Sequence, residues 1–152
     1  MNVKEKFDEE VLNRLNTTVI DAAAFFAGAD QARSDGHQTA YGVLAQLVFW
    51  HEQYVTIARA LVDGRNPELK VGSFDHLNQV ARSTFASDSM TMLAYDLSCL
   101  QKEFDALVRR LPDWSVNFPI KRDSEPISLH ERLSEIETHI RRHVQRFRNA
   151  RA

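Results

Sequence analysis

The sequence predicts an all-α fold, a four-helix bundle, from three observations. Only five glycines and four prolines occur among 152 residues, and so few helix breakers favour long helices over the turn-rich strands of a sandwich or barrel. Hydrophobic residues make up 43% of the chain, which excludes a disordered protein. Apolar residues recur at intervals of three and four along four long segments, the period of an amphipathic helix. We therefore expect one bundle domain over residues 1–152.

The first two predicted helices span about residues 3–29 and 38–62. The first is amphipathic, with apolar residues recurring from Phe7 to Phe26. The second is apolar around almost its whole circumference, and Val48 and Phe49 widen its apolar stripe. Such a helix is either largely buried or shares a second interface, and the homodimer that we expect is one way to supply that interface. Gly64 stands where a glycine commonly follows the end of a helix.

A less regular excursion and a third long helix follow. Residues 68–86 predict a short helix capped by Ser73. The third long helix covers about residues 88–111 and ends at Pro112, which cannot continue a helix. It contains the single cysteine, Cys99. We interpret Cys99 as a small buried hydrophobic residue, not as a catalytic thiol.

The last helix is predicted from its N-terminal signature. Ser128 is followed three residues later by Glu131, which is the spacing of a capping box. The loop before it carries two aromatic residues, Trp114 and Phe118. We interpret this segment as a packed loop, with a lid over the end of the bundle as the alternative.

Charge and motif content exclude several classes of function. The formal net charge is −2, so no basic excess indicates a nucleic-acid or anionic-membrane partner. No apolar run is long enough to cross a bilayer, and the N-terminus is too charged for a signal peptide; we expect a cytoplasmic protein. One cysteine excludes an internal disulfide framework. The motifs of phosphate loops, dinucleotide-binding folds, nucleophile elbows and HExxH metalloproteases do not occur.

Three of the six histidines are candidate metal ligands. His139 and His143 are four residues apart, so both lie on one face of the last helix. His51 occupies an apolar-stripe position of the second helix, one turn before Tyr54. Three imidazoles facing one core satisfy each other by sharing a metal ion and leave a position open for water or substrate. The alternative is that backbone, carboxylate or water satisfies each histidine separately. Tyr54 either lines the same pocket or fills the core.

The order of these residues resembles that of a known superfamily. The residues are Leu44, Leu47, Trp50-His51 and Tyr54 on the second helix, then His139-x-x-x-His143 on the fourth. In this order and in its helix lengths, nearly the whole chain resembles the DinB/YfiT-like superfamily. The stretch Trp50-His51-Glu52-Gln53, continuing to Asp63-Gly64-Arg65-Asn66-Pro67, is similar to the DfsB/ClbS-like branch.

The resemblance implies a bundle, often dimeric, with a divalent metal ion held by His51, His139 and His143. Zn or Ni is the first expectation for the metal, then Fe or Co. Superfamily members include thiol-dependent transferases and isomerases, metal-dependent hydrolases, and self-protection proteins that act on reactive electrophiles. We therefore expect a metal-dependent hydrolase or thiol-dependent transferase acting on a small molecule, with no residue assigned as general base. The alternatives are a metal-free binding or self-protection protein and a dimeric interaction module without catalysis. The superfamily often has Gln three residues after its last histidine, where this chain has Arg146.

Overall fold

Four long helices and one short helix make up the fold. In the computed structural model, which describes residues 7–150, the elements are α1 (Glu9–Ala27), α2 (Ala40–Val62), α3 (Phe74–Thr84), α4 (Met90–Arg109) and α5 (Leu129–Asn149). Residues 7–150 form no strand beyond isolated bridges. The predicted class, an all-α bundle with a short helical excursion between the second and third long helices, is confirmed.

The helix ends follow from capping side chains. Asp8 accepts a hydrogen bond from the backbone N–H of Val11, so α1 begins at Glu9 and not near residue 3; residues 3–6 of that prediction lie outside the described part of the chain. Ser73 and Ser128 cap α3 and α5 in the same way, as predicted. Gly64 follows α2 with φ +71°, a left-handed conformation that only glycine adopts at little cost.

The four long helices form a ring that is closed on three sides. α4 packs against both α1 and α2, α1 also packs against α5, and α3 lies on α2. α2 and α5 make few contacts with each other. The fourth side of the bundle, between α2 and α5, is therefore left partly open.

The loop between α4 and α5 is packed into the fold. Trp114 and Phe118 are fully buried, and the Trp114 indole N–H donates to the carbonyl of Val108 at 3.1 Å. Arg132 of α5 is also buried and donates to the backbone carbonyls of Phe118 and Glu125, at 2.9 and 3.2 Å. The packed-loop interpretation holds, and these aromatics do not form a lid.

Two expectations about burial change. Cys99 is exposed, because it lies on the outer face of α4 with Met92 and Tyr95, which are also exposed. Val48 and Phe49 are buried inside the chain, so packing within one chain accounts for the apolar circumference of α2. The homodimer stays a prediction. Within residues 7–150 no helix is both long and apolar enough to span a bilayer.

Candidate functional site

A cavity of about 710 Å³ occupies the partly open side of the bundle between α2 and α5. Its α2 wall is mostly apolar, and its α5 wall is mostly polar. The side chains discussed below that line it are Leu47, Trp50, His51 and Tyr54 of α2 and Glu135, Thr138, His139, Arg142, His143 and Arg146 of α5. A polar helix face cannot interdigitate with an apolar one as two apolar faces do, which explains why the bundle remains open here.

Hydrogen bonds hold the cavity walls in place. The Trp50 indole N–H donates to the Asn78 side-chain oxygen of α3 at 2.7 Å, which ties the α2 wall to the excursion. The Gln46 amide donates to the Gln38 side-chain oxygen at 2.6 Å. Both polar pairs are partly buried, and both brace the α2 side of the cavity.

His51 is fully enclosed and is oriented by a chain of side chains. Its Nε2 lies 2.8 Å from the Gln101 Oε1 atom on α4. The Gln101 amide nitrogen donates to Asn16 Oδ1 on α1 at 2.7 Å, and the Asn16 amide nitrogen donates to an Asp105 carboxylate oxygen at 2.9 Å. Arg109 donates to the other Asp105 oxygen at 2.8 Å. One hydrogen-bonded relay therefore crosses the bundle from the surface to His51.

The relay determines which nitrogen of His51 carries the proton. A carboxylate only accepts, so Asn16 presents its amide group to Asp105 and its oxygen to Gln101. Gln101 then presents its oxygen to His51, and His51 Nε2 must donate. The proton lies on Nε2 and the lone pair lies on Nδ1. Burial lowers the pKa of His51 to about 4 although the hydrogen bond from His51 to Gln101 opposes this shift, so the ring is neutral at pH 7.

His139 and His143 form a pair on α5. Their ring centroids are 4.5 Å apart and the rings are nearly perpendicular. His143 is buried, and its Nδ1 atom has no hydrogen-bond partner among the described residues. Burial, then the neighbouring His139, lower the pKa of His143 to about 4. His139 is exposed at the cavity edge, where partial burial of its ring and the charge of Arg146 lower its pKa.

The three predicted ligands line one cavity but do not form a closed ligand set. Within residues 7–150, no three His, Cys, Asp or Glu side chains are grouped closely enough to hold one metal ion. Neutral imidazoles are suitable ligands for a divalent metal. The Nδ1 atom of His143 has no hydrogen-bond partner among the described residues and is therefore available as a metal ligand. His51 lies on the opposite wall, where its Nε2 donates to Gln101 and its Nδ1 lone pair stays available. The donor chemistry fits a metal, whereas the arrangement is not that of a preformed site.

Tyr54 has both of the roles that the sequence left open, lining the pocket and filling the core. It lines the cavity and it packs in the core, with its ring centroid 5.3 Å from that of His51 and 6.0 Å from that of Phe104. Burial raises the pKa of Tyr54, so its hydroxyl stays protonated and is a hydrogen-bond donor at neutral pH.

The other histidines lie outside the cavity lining. His37 and His76 are exposed, as expected for loop and excursion positions. His130 Nε2 lies 2.9 Å from an Asp8 carboxylate oxygen. Asp8 therefore both caps α1 and contacts α5.

Sequence reasoning missed the relay and the polar wall. Gln101 interrupts the apolar row that runs through Leu97 and Phe104 of α4, and Asn16 stands beside Leu15 in the apolar stripe of α1. A buried amide in such a row needs a partner, and that was the available signal. On α5, the sequence drew attention to Arg146 only as a departure from the superfamily, and periodicity did not indicate that Arg142 lies beside it at the cavity.

No family model matches this chain, and no curated protein matches it. Among solved structures, a crystal structure of an uncharacterised protein from Escherichia coli UTI89 is similar, with a TM-score of 0.69 over 93% of this chain and 88% of that chain. The two sequences are 14% identical. At this identity the likeness is one of fold, and it agrees with the helical bundle described above.

Proposed function

We propose that the protein binds a small, partly apolar molecule in the cavity between α2 and α5. The observation that carries this proposal is the cavity itself, about 710 Å³ in volume. Pockets that enclose small molecules in proteins measure about 300–1,000 Å³ and combine apolar lining with a few placed polar groups. Leu47, Trp50 and Ile140 supply apolar surface here.

His51 supplies the placed polar group. The relay through Gln101 keeps its proton on Nε2, so the ring offers a lone pair on Nδ1. A neutral imidazole in this state accepts a hydrogen bond from a bound molecule. Binding with a hydrogen bond to His51 Nδ1 is thus the chemistry that these residues support best, whether or not a reaction follows.

Binding is tested with phenylnaphthylamine, a neutral apolar dye whose emission rises in an apolar site. We expect the wild-type protein to bind it saturably. Thr138→Trp places an indole in the cavity and should weaken dye binding by about tenfold or more. Gln145→Trp adds the same group to an exposed position of α5 that is not part of the lining, and it should leave binding unchanged.

Two results would contradict the proposal. One is no saturable binding by wild type. The other is equal binding by the Thr138→Trp and Gln145→Trp variants, which would place the dye elsewhere. Far-ultraviolet circular dichroism of each variant checks that the helices are intact, and Ser134→Phe fills a neighbouring part of the cavity as a second blocking variant.

A divalent-metal site is the second candidate, and one observation favours it. The buried Nδ1 of His143 has no hydrogen-bond partner among the described residues, and a metal ion is one group that satisfies such an atom. His139 is the neighbouring donor and His51 the third, as the resemblance to the DinB/YfiT-like superfamily implies. A metal-dependent hydrolase or a thiol-dependent transferase is the class of enzyme that this candidate would place in the cavity.

The metal is tested by mass spectrometry on untagged protein after incubation with Zn²⁺ or Ni²⁺ and removal of excess. A site predicts about one ion per chain, loss of the ion in His143→Ala and His51→Ala, and retention in His76→Ala, which removes an exposed histidine outside the cavity lining. Metal-free wild type would exclude the site. Retention in His143→Ala would exclude this ligand assignment.

A further inference from the structure

We propose that the molecule bound in the cavity is an organic anion, with its acidic group held by Arg142 and Arg146 and its apolar part against α2. This inference rests on the proposed function, since it names the class of ligand for the same cavity. It is carried by a separate observation, the pairing of the arginines of α5.

The arginines of α5 divide into two groups. Arg132 pairs with Glu135, Arg141 with Glu137 and Arg148 with Asp21, at 2.8, 3.2 and 3.0 Å. The guanidinium groups of Arg142 and Arg146 make no ion pair or hydrogen bond to another described residue, and both side chains line the cavity. Among the described residues, the other three arginines of α5 are thus paired with carboxylates, and the two guanidinium groups at the cavity are not.

The remaining charges near the cavity do not cancel this pair. Glu135 also lines the cavity, but it is already paired with the buried Arg132. Asp35 lies near enough to influence His143, and its carboxylate accepts the backbone N–H groups of His37 and Gln38 at 2.8 Å. Two uncompensated guanidinium groups therefore give this wall a positive potential.

The spacing of the two arginines suits one acidic group. Residues four apart are neighbours on a helix surface, so both guanidinium groups emerge on one side of α5, one turn apart. A guanidinium offers planar, paired donors that match carboxylate, phosphate and sulfonate oxygens. Across the cavity, Leu47, Trp50 and Tyr54 present apolar surface. An anion with an apolar body meets both walls at once.

Two dyes of similar shape distinguish recognition of the anionic group from binding in the cavity as such. Anilinonaphthalene sulfonate is anionic and phenylnaphthylamine is its neutral relative. We expect Arg142→Gln/Arg146→Gln to weaken sulfonate-dye binding by about tenfold, the sum of two partly exposed charge contacts, and to change neutral-dye binding by less than about twofold. Raising the salt concentration should weaken sulfonate-dye binding to wild type and not to the double variant.

The matched control is Arg141→Gln/Arg148→Gln, which removes the same charge from the same helix outside the cavity lining. It should leave both dyes bound as in wild type. If the neutral dye binds but the Arg142/Arg146 variant keeps full affinity for the sulfonate dye, or the two double variants weaken it equally, the anion proposal is wrong and the cavity proposal stands. If neither dye binds to wild type, both proposals fail.

Discussion

Acidification from about pH 6.5 to about pH 4 should remove about 3 kcal/mol of folding free energy for each of His51 and His143. Both rings have their pKa lowered from 6.5 to about 4 by burial in the folded protein. Between these two values the unfolded chain takes up protons and the folded chain does not. Stability is therefore fully present above pH 6.5, falls as the pH drops toward 4, and loses nothing further from these groups below that.

The measurement is denaturant unfolding at a series of pH values with a chelator present. His143→Gln should show a smaller loss of stability between pH 6.5 and 4 than wild type, because one of the two neutral imidazoles is gone. His76→Gln, which removes an exposed histidine, is the matched control and should show the wild-type loss. Equal pH dependence in the His143→Gln variant and in wild type would contradict the prediction.

Gln101→Leu should lower the free energy of unfolding by about 3 kcal/mol, because it leaves buried polar groups without partners. Gln101 is 3% exposed and joins His51 to Asn16 through two hydrogen bonds. Leucine fills the volume but offers neither the acceptor that His51 Nε2 needs nor the donor that Asn16 Oδ1 needs. Urea unfolding of the two proteins at pH 7.5 measures the difference.

The tautomer of His51 is a second measurement on the same variant, and a change in packing alone would leave it unchanged. Nitrogen NMR of the His51 ring should show a single tautomer, with the proton on Nε2, in wild type. In Gln101→Leu it should show a mixture of the two tautomers. In the double variant Gln101→Leu/His51→Leu both partners are removed, so its loss should be smaller than the sum of the two single losses. Additive losses, or an unchanged His51 tautomer, would overturn the relay.

Most of the helical framework was predictable from local signals. The cap residues Ser73 and Ser128 and the breaker Gly64 each act within a few residues of their own position, so the sequence indicates them directly. The start of α1 was the exception. Phe7 continues the apolar pattern, but the side chain of Asp8 accepts the N–H of Val11 in the first turn of the helix, and a cap of this kind overrides periodicity.

Part of the candidate site was predictable as well. Periodicity placed His51 and His143 toward the interior, and both are buried. The same reasoning predicted that His139 is buried as well, but His139 is exposed at the cavity edge. Positions 139 and 143 lie on the same face of α5, but this face makes few contacts with α2. The apolar pattern of a single helix does not determine the distance to the neighbouring helix.

The sequence by itself determined that this chain forms long helices, where most of them begin and end, and which of their faces are apolar, because those properties depend on residues within one or two turns of each other. Only the tertiary structure decided that the bundle closes on three sides and stays partly open between α2 and α5, that Gln101 of α4 and Asn16 of α1 orient His51, and that Arg142 and Arg146 line the cavity. These are relations between residues far apart in the chain. Their energies depend on the packing of whole helices, which helical periodicity leaves undetermined.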